Sequence, residues 1–247
     1  MSQTLIVLPC YNEAARLSIR TFTQALEERS WLSLLFVDDG STDGSASLLA
    51  TIAARSPRAQ VLNLSPNQGK AVAVHKGLAH ALASDAATIG YWDSDLATPF
   101  EELDAMLAEL DGTGAFMVMG SRVRLLGRDV RRRTTRHYVG RLFATAASLA
   151  LDLPVYDTQC GAKLFRNDAV ARAVLGPPFR SRWMFDVEIL ARLARYDEQH
   201  GTSLSTQAVF EHPLRRWSDV SGSKVKTRDG LRAGLDIARI ALWRRLG

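Results

Sequence analysis

Short apolar runs alternate with stretches of helical periodicity through the first half of the chain. The runs Leu5–Leu8, Leu34–Val37, Gln60–Leu64, Thr88–Trp92 and Ala115–Gly120 read as strands. Between them, Glu13–Glu28, Asp43–Arg55, Lys70–Ala83 and Phe100–Leu110 read as helices, with Pro57, Pro66, Pro99 and Gly112 as punctuation. Strands alternating with helices predict an α/β fold, a mostly parallel central sheet flanked by helices and joined by right-handed crossovers. After Gly120 the rhythm breaks. A basic loop leads to an apolar helix near Tyr138–Leu151, a strand near Ala162–Phe165, a helix near Met184–Tyr196 and a strand near Ser203–Phe210. A loop over His212–Thr227 precedes a C-terminal amphipathic helix near Gly230–Arg245. No internal repeat or low-complexity tract interrupts this order.

Composition narrows the class. The 247 residues, 47% hydrophobic and 23% charged, are enough to bury a core without disulfides and fit a single α/β domain over residues 1–247. Cys10 and Cys160 stand far apart without a CxxC partner or a zinc-spaced His, as in a reduced, cytoplasmic protein. Strand-like sequence from Thr4 onward leaves no visible signal peptide, and no window approaches about eighteen uninterrupted apolar residues, so no membrane span is expected. The net charge of +5 is uneven. Arg122, Arg124, Arg128, Arg131, Arg132, Arg133, Arg136 and Arg141 are opposed only by Asp129, and a second basic region runs from Arg215 to Arg245. Such density predicts an anionic partner. Zinc-finger, helix-turn-helix and RNP patterns are missing and no stacking aromatics interleave, so lipid or lipid phosphate is expected and nucleic acid is not.

The chemistry lies at the strand ends. Tyr91-Trp92-Asp93-Ser94-Asp95 follows an apolar run and sets two carboxylates one residue apart. Like charges so close repel unless a cation lies between them. Hard divalent ions such as Mg²⁺ favour carboxylate oxygens plus substrate phosphates. Asp93 and Asp95 therefore read as a metal clamp for a diphosphate, with a solvated turn as the alternative. Two more acid-bearing segments end apolar runs: Pro9-Cys10-Tyr11-Asn12-Glu13 and Asp38-Asp39-Gly40-Ser41-Thr42-Asp43. In parallel sheets, ligands bind outside the carboxyl ends of the strands. No GxGxxG or GxxxxGK[ST] is present, so a diphosphate here must be neutralised without a glycine cradle, and a divalent ion held by Asp93 and Asp95 would do this.

These segments, with Asn67-Gln68-Gly69-Lys70, resemble family 2 glycosyltransferases of the GT-A (Rossmann-like) fold. The later segments Asp157-Thr158-Gln159-Cys160-Gly161-Ala162-Lys163-Leu164-Phe165, Phe185-Asp186-Val187-Glu188 and Trp217 through Gly222-Ser223-Lys224 resemble the dolichyl-phosphate glucosyl- and mannosyltransferase branch. The resemblance implies a nucleotide-sugar donor, a polyprenyl-phosphate acceptor, a divalent cation (Mg²⁺ or Mn²⁺) and a peripheral position on the cytoplasmic face of a membrane. It implies donor contacts from Pro9, Tyr11, Glu13, Asp38, Asp39, Lys70, Asp93, Ser94, Asp95, Arg122 and Lys224, with Lys224 in a closing loop. Asp95 is the implied direct metal ligand, and Asp93 touches the ribose or the metal. Related mannosyl enzymes place another polar ligand where this chain has Ala97, so phosphates and water are left to complete the shell. Arg131, Arg133, Gln159, Lys163 and Ser223 are implied at the acceptor, and Asp186 is the implied base. Residues 1–121 are then the nucleotide-sugar half and 122–247 the acceptor half.

One chemical point qualifies Asp186. A phosphomonoester, with a second pKa of about 6, is largely ionised at neutral pH and hardly needs a base. Asp186 could equally orient the acceptor or the sugar. The leading expectation is an inverting transferase moving glucose from UDP-glucose to a polyprenyl phosphate. The alternatives are a hydroxyl acceptor on a saccharide or glycolipid, a phosphatase with an Asp-x-Asp nucleophile, and a non-enzymatic basic lipid-binding protein. The phosphatase fits poorly, because the pair follows the fourth strand and Ala97 has no hydroxyl. The lipid-binding reading leaves the acidic strand ends without a role.

Overall fold

The computed structural model describes residues 2–131, 134–220 and 227–246, the side chains of 134–139, 227–232 and 245–246 excepted. The chain begins β1 (Thr4–Cys10), α1 (Ile19–Glu28), β2 (Leu32–Asp39), α2 (Ser45–Arg55), β3 (Ala59–Leu64), α3 (Lys70–Leu82) and β4 (Thr88–Trp92). It continues through α4 (Glu101–Thr113), β5 (Met117–Ser121), β6 (Asp129–Arg131), α5 (Thr134–Leu151), β7 (Ala162–Arg166) and α6 (Ala169–Leu175). It closes with α7 (Phe185–His200), α8 (Leu204–Gln207), β8 (Val209–Pro213), β9 (Arg216–Ser218) and α9 (Thr227–Leu246). This is the α/β architecture, with a mostly parallel sheet flanked by helices, that the alternation predicts. Two compact units share the chain: Met1–Leu96 with Leu164–Pro178, and Ala97–Lys163 with Phe179–Gly247.

In the first unit the strands run in the order β3-β2-β1-β4, and each neighbouring pair is parallel. β1 and β2 are buried along almost their whole length, which is why they read as continuous apolar runs rather than as alternations. Parallel pairing brings the carboxyl ends of β1, β2 and β4 to one edge, with Cys10 beside Asp38 and Asp39 beside Leu64. Helix α3 lies across β1 and β2 at Gly77. A Cβ there would run into Val7 and lie 2.9 Å from Val37 Cγ2. The returning segment docks through Asn167, whose backbone N donates to Ala87 O at 2.9 Å and whose Nδ2 donates to Ala86 O at 2.8 Å.

In the second unit β5 pairs in parallel with β8, β6 with β9, and helices α5, α7 and α9 pack on one another. Helix α9 buries Ala233, Ile237 and Ile240. Ser181 Oγ donates to its Asp236 at 2.6 Å, and Arg180 and Arg195 stack on its Trp243 at 4.7 and 4.3 Å. Leu235 and Leu242 of α9, Leu142 and Leu149 of α5, and Leu125 and Leu126 of the preceding loop are exposed.

Several elements depart from expectation. α1 starts at Ile19 rather than Glu13 because Glu13–Leu17 closes its own turn, Leu17 N donating to Glu13 O at 2.9 Å, and Ser18 then caps the helix. The predicted strand Ser203–Phe210 is the short helix α8 followed by β8. The cause is Asp197, which accepts from Thr202 Oγ1 (2.5 Å), Leu204 N (2.8 Å) and Ser205 N (2.7 Å) and holds that chain in a turn. Burial works to raise the Asp197 carboxyl, but the hydrogen bonds from Ser205 and Thr202 outweigh it and hold the group below the usual carboxylate range. α6, β6 and β9 are too short to carry a periodic signal and were not expected.

The contact at Gly77 gives a stability prediction. Gly77→Ala should destabilise the fold by about 1–3 kcal/mol through overpacking against Val7 and Val37. Gly112→Ala, where nothing lies within 4 Å, should instead stabilise it by about 0.4–1 kcal/mol. Urea unfolding of both variants checks the contrast.

Candidate active site

The loops after β1 and β2 are fastened to each other by side chains. Asn12 adopts a left-handed φ of 49°, which Asn tolerates better than most residues. Its backbone N donates to Ser41 Oγ at 2.9 Å, and its Oδ1 accepts from Thr42 N at 2.8 Å. Glu13 N donates to Ser45 Oγ at 2.7 Å, and Ala14 N to Asp43 Oδ2 at 3.1 Å. Asp38 accepts from Ser41 N at 3.1 Å, so it shapes the turn that carries these hydroxyls. Pro9 is the penultimate residue of β1, and its carbonyl accepts from Ser94 Oγ at 3.0 Å. Tyr11 lies half-buried just beyond that strand end.

Asp39 is 2% exposed and serves the third loop. Its carboxylate accepts from Asn67 Nδ2 at 2.8 Å, Gln68 N at 2.8 Å and Gly69 N at 2.7 Å. All three of these donors belong to the chain itself. Gly69, at φ 96°, turns that chain into α3, and Lys70 opens the helix. Lys70 Nζ reaches Asp93 Oδ1 at 2.6 Å. Asp93, Ser94 and Asp95 occupy a turn after β4, closed by Leu96 N donating to Asp93 O at 3.1 Å, with Leu96 at φ 52°. A left-handed leucine is a strained residue, and such strain concentrates at functional sites. Arg16 approaches Asp95 Oδ2 at 3.8 Å while its other terminal nitrogen is 2.5 Å from Glu13. Each carboxylate of the turn thus has a cation of the chain beside it.

The second unit holds a separate set of charges. Arg122 grips Asp157 through Nε and Nη2, both at 2.7 Å, and lies over Trp217 at 5.4 Å. Tyr156 N and Asp157 N both donate to Glu211 at 2.7 Å. Burial pushes the Glu211 carboxyl up and the Asp157 charge adds to this, against the hydrogen bonds and the Lys163 charge. Lys163 was expected at the acceptor head group. It is instead fully buried, and its Nζ donates to Asp186 Oδ1 and to Cys160 O, both at 2.6 Å. A buried ammonium on two protein oxygens fixes the position of the Asp186 carboxylate. Asp186 lies in the first turn of α7.

Gln159 is half-buried, its N donating to Asp157 Oδ1 at 3.2 Å, and its Nε2 finds no hydrogen-bond partner among the described residues. Arg131 is exposed and donates to Asp129 at 2.8 Å. Arg133, Ser223 and Lys224 lie outside the described residues. The sequence reading gave no role to Arg16, Asp157 or Glu211. Arg16 falls in a stretch that reads as helix, where a charged residue looks like solvated surface, and nothing local marks its partners.

The pattern of Glycosyl transferase family 2 matches residues 5–173 of the chain. Dolichyl-phosphate beta-glucosyltransferase ALG5C of Trichomonas vaginalis is 31% identical over 258 residues, spanning 99% of this chain and 72% of that protein. The dolichyl-phosphate beta-glucosyltransferase of Saccharomyces cerevisiae is 26% identical over 265 residues, spanning 98% and 75%. The fold is also that of Mycobacterium tuberculosis glucosyl-3-phosphoglycerate synthase, solved with Mn²⁺, UDP and glucosyl-3-phosphoglycerate. The TM-score is 0.64 at 20% identity, over 98% of this chain and 80% of the other.

The buried pair in the second unit is open to a direct test. Lys163→Met should cost about 3–5 kcal/mol, because it removes the ammonium that compensates the buried Asp186 carboxylate. Adding Asp186→Leu to that variant should recover part of the loss, so the two changes are far from additive in chemical denaturation.

Proposed function

The chain belongs to glycosyl transferase family 2, with the GT-A fold, and from that premise we propose that it moves glucose, with inversion, from UDP-glucose to a polyprenyl phosphate of the dolichyl type. The observation that carries the donor half is the edge of the parallel sheet in the first unit. There the ends of β1, β2 and β4 bring Tyr11, Glu13, Asp39, Asp93 and Asp95 to one side. The acceptor half draws support from the dolichyl-phosphate glucosyltransferases that match nearly the whole chain.

A divalent cation suits the Asp93–Asp95 turn. The donors are hard carboxylate oxygens, and both already attract a cationic side chain. The described residues contain no cluster of three or more His, Cys, Asp or Glu able to hold a metal unaided. Asp93 and Asp95 would therefore hold the ion together with the diphosphate and water. Bound there, it supplies charge neutralisation to the departing UDP. The chain's own residues do the rest. The Asn12–Thr42 and Glu13–Ser45 fastenings preform the nucleoside pocket. Asp186, tethered by Lys163, orients the acceptor. An ionised phosphate oxygen attacks the anomeric carbon, the bond to UDP breaks, and no proton has to move.

The exposed leucines of α5 and α9 and the arginines around them suit a peripheral seat on an anionic, cytoplasm-facing lipid surface. Among the described residues no helix is long and apolar enough to cross a membrane.

Transfer from labelled UDP-glucose to short polyprenyl phosphates, followed against pH, tests the reaction. The wild-type rate should fall in acid as the acceptor phosphate protonates near pH 6. Asp186→Asn should keep measurable turnover at pH 8. Transfer only to saccharides, with an inactive Asp186→Asn, would establish a hydroxyl acceptor instead, since general-base help then contributes about 10²–10⁴-fold.

Sedimentation with vesicles tests the lipid seat. Binding to anionic vesicles should weaken in high salt, where exposed charges are screened, and again in an Arg131→Ala, Arg132→Ala, Arg133→Ala triple variant. Equal binding to neutral vesicles would remove the electrostatic part.

A further inference from the structure

Lys70 stands where two anions would compete for it. Resting on the donor reading above, we propose that Lys70 is a shared cation that neutralises Asp93 while the site is empty and passes to the donor diphosphate when metal and nucleotide arrive. Arg16, by contrast, stays on Glu13 throughout.

The two cations differ in how firmly they are held. Lys70 and Asp93 are 42% and 35% exposed in their side chains, with Nζ 2.6 Å from Oδ1. A pair this open to water is worth little and is easily given up. The ammonium sits on a flexible four-carbon stem and carries its charge as a point, so it can exchange one anion for another without a geometric penalty. Arg16 and Glu13 are 18% and 11% exposed, with one guanidinium nitrogen 2.5 Å from Glu13 and the other 3.8 Å from Asp95. That arrangement is fixed and only grazes Asp95.

The backbone below Lys70 is fixed as well. Asp39 binds Gln68 N and Gly69 N directly, so the Cα of Lys70 has little freedom and the movement is confined to its side chain. With a divalent ion held by Asp93 and Asp95, the Lys70 ammonium would be repelled from Asp93 and would find a stronger anion in the diphosphate. The same positive charge thus keeps Asp93 and Asp95 from repelling each other in the empty site and binds substrate in the full one. No bond is made or broken in the exchange.

This predicts effects of opposite sign from one substitution. In Lys70→Gln, Mn²⁺ alone, measured by the electron paramagnetic resonance of the free ion, should bind about two- to fivefold more tightly, because a competing cation has gone. UDP at saturating Mn²⁺, measured by calorimetry, should bind roughly tenfold or more weakly, because a charge-assisted contact has gone. Lys70→Arg should reverse the first effect and most of the second. Unchanged or weaker Mn²⁺ binding in Lys70→Gln would overturn the proposal, as would tighter Mn²⁺ binding with UDP affinity unaltered. Both results leave the donor reading standing. Failure of the wild type to bind UDP even with Mn²⁺ would instead overturn the donor reading, and this proposal with it. Circular dichroism of each variant establishes that the fold is intact.

Discussion

The Asp39 carboxylate is the fixed point of the first unit. A buried charge is tolerable only when its oxygens are satisfied, and here Asn67, Gln68 and Gly69 satisfy them. The bonds join the end of β2 to the start of α3 without any secondary structure between them. Gly40 makes the approach possible. It has a φ of 70°, and a Cβ on it would lie 2.8 Å from Asn67 N. The position of Lys70, and through it the neutralisation of Asp93, follows from this one side chain.

The second unit solves a similar problem with charge pairs. Arg122–Asp157 and Lys163–Asp186 are each buried or nearly so, and Glu211 holds the backbone that bears Asp157. Buried pairs rarely add much net stability, because desolvation offsets the attraction. Their value is geometric. An ammonium held by Cys160 O and Asp186 cannot wander, and neither can the carboxylate it holds. Glu211 accepts from backbone N–H groups, and burial pushes its carboxyl up against the pull of those bonds.

The features legible in the sequence were those with a local cause. Parallel strands buried on both faces leave unbroken apolar runs, so β1, β2 and β4 could be placed by inspection, and the acidic residues after them marked the candidate site at the sheet edge. The features that escaped depend on partners distant in the chain. Glu13 to Leu17 has good helical composition, yet Glu13 N is taken by Ser45 and the helix waits until Ser18 caps it. Ser203–Phe210 looks like strand, but Asp197 has already claimed the N–H groups of Leu204 and Ser205. Arg122 and Lys163 are visible as cations because residue type can be read from a sequence, whereas Asp157 and Asp186 as their partners cannot.

Gly77 has a mechanical consequence. At that point the backbone of helix α3 rests directly on the side chains of Val7 and Val37. Its first turn is separately pinned by Asp39 through Gln68 and Gly69. Two attachment points along a rod determine the line of its axis, and a rod so held can neither slide nor tilt appreciably. The helix therefore behaves as a gauge, setting the height of its leading residue above the sheet edge to the tolerance of a van der Waals contact. Precision at a solvent-facing lysine is thus obtained from a glycine two turns away that never meets solvent or ligand.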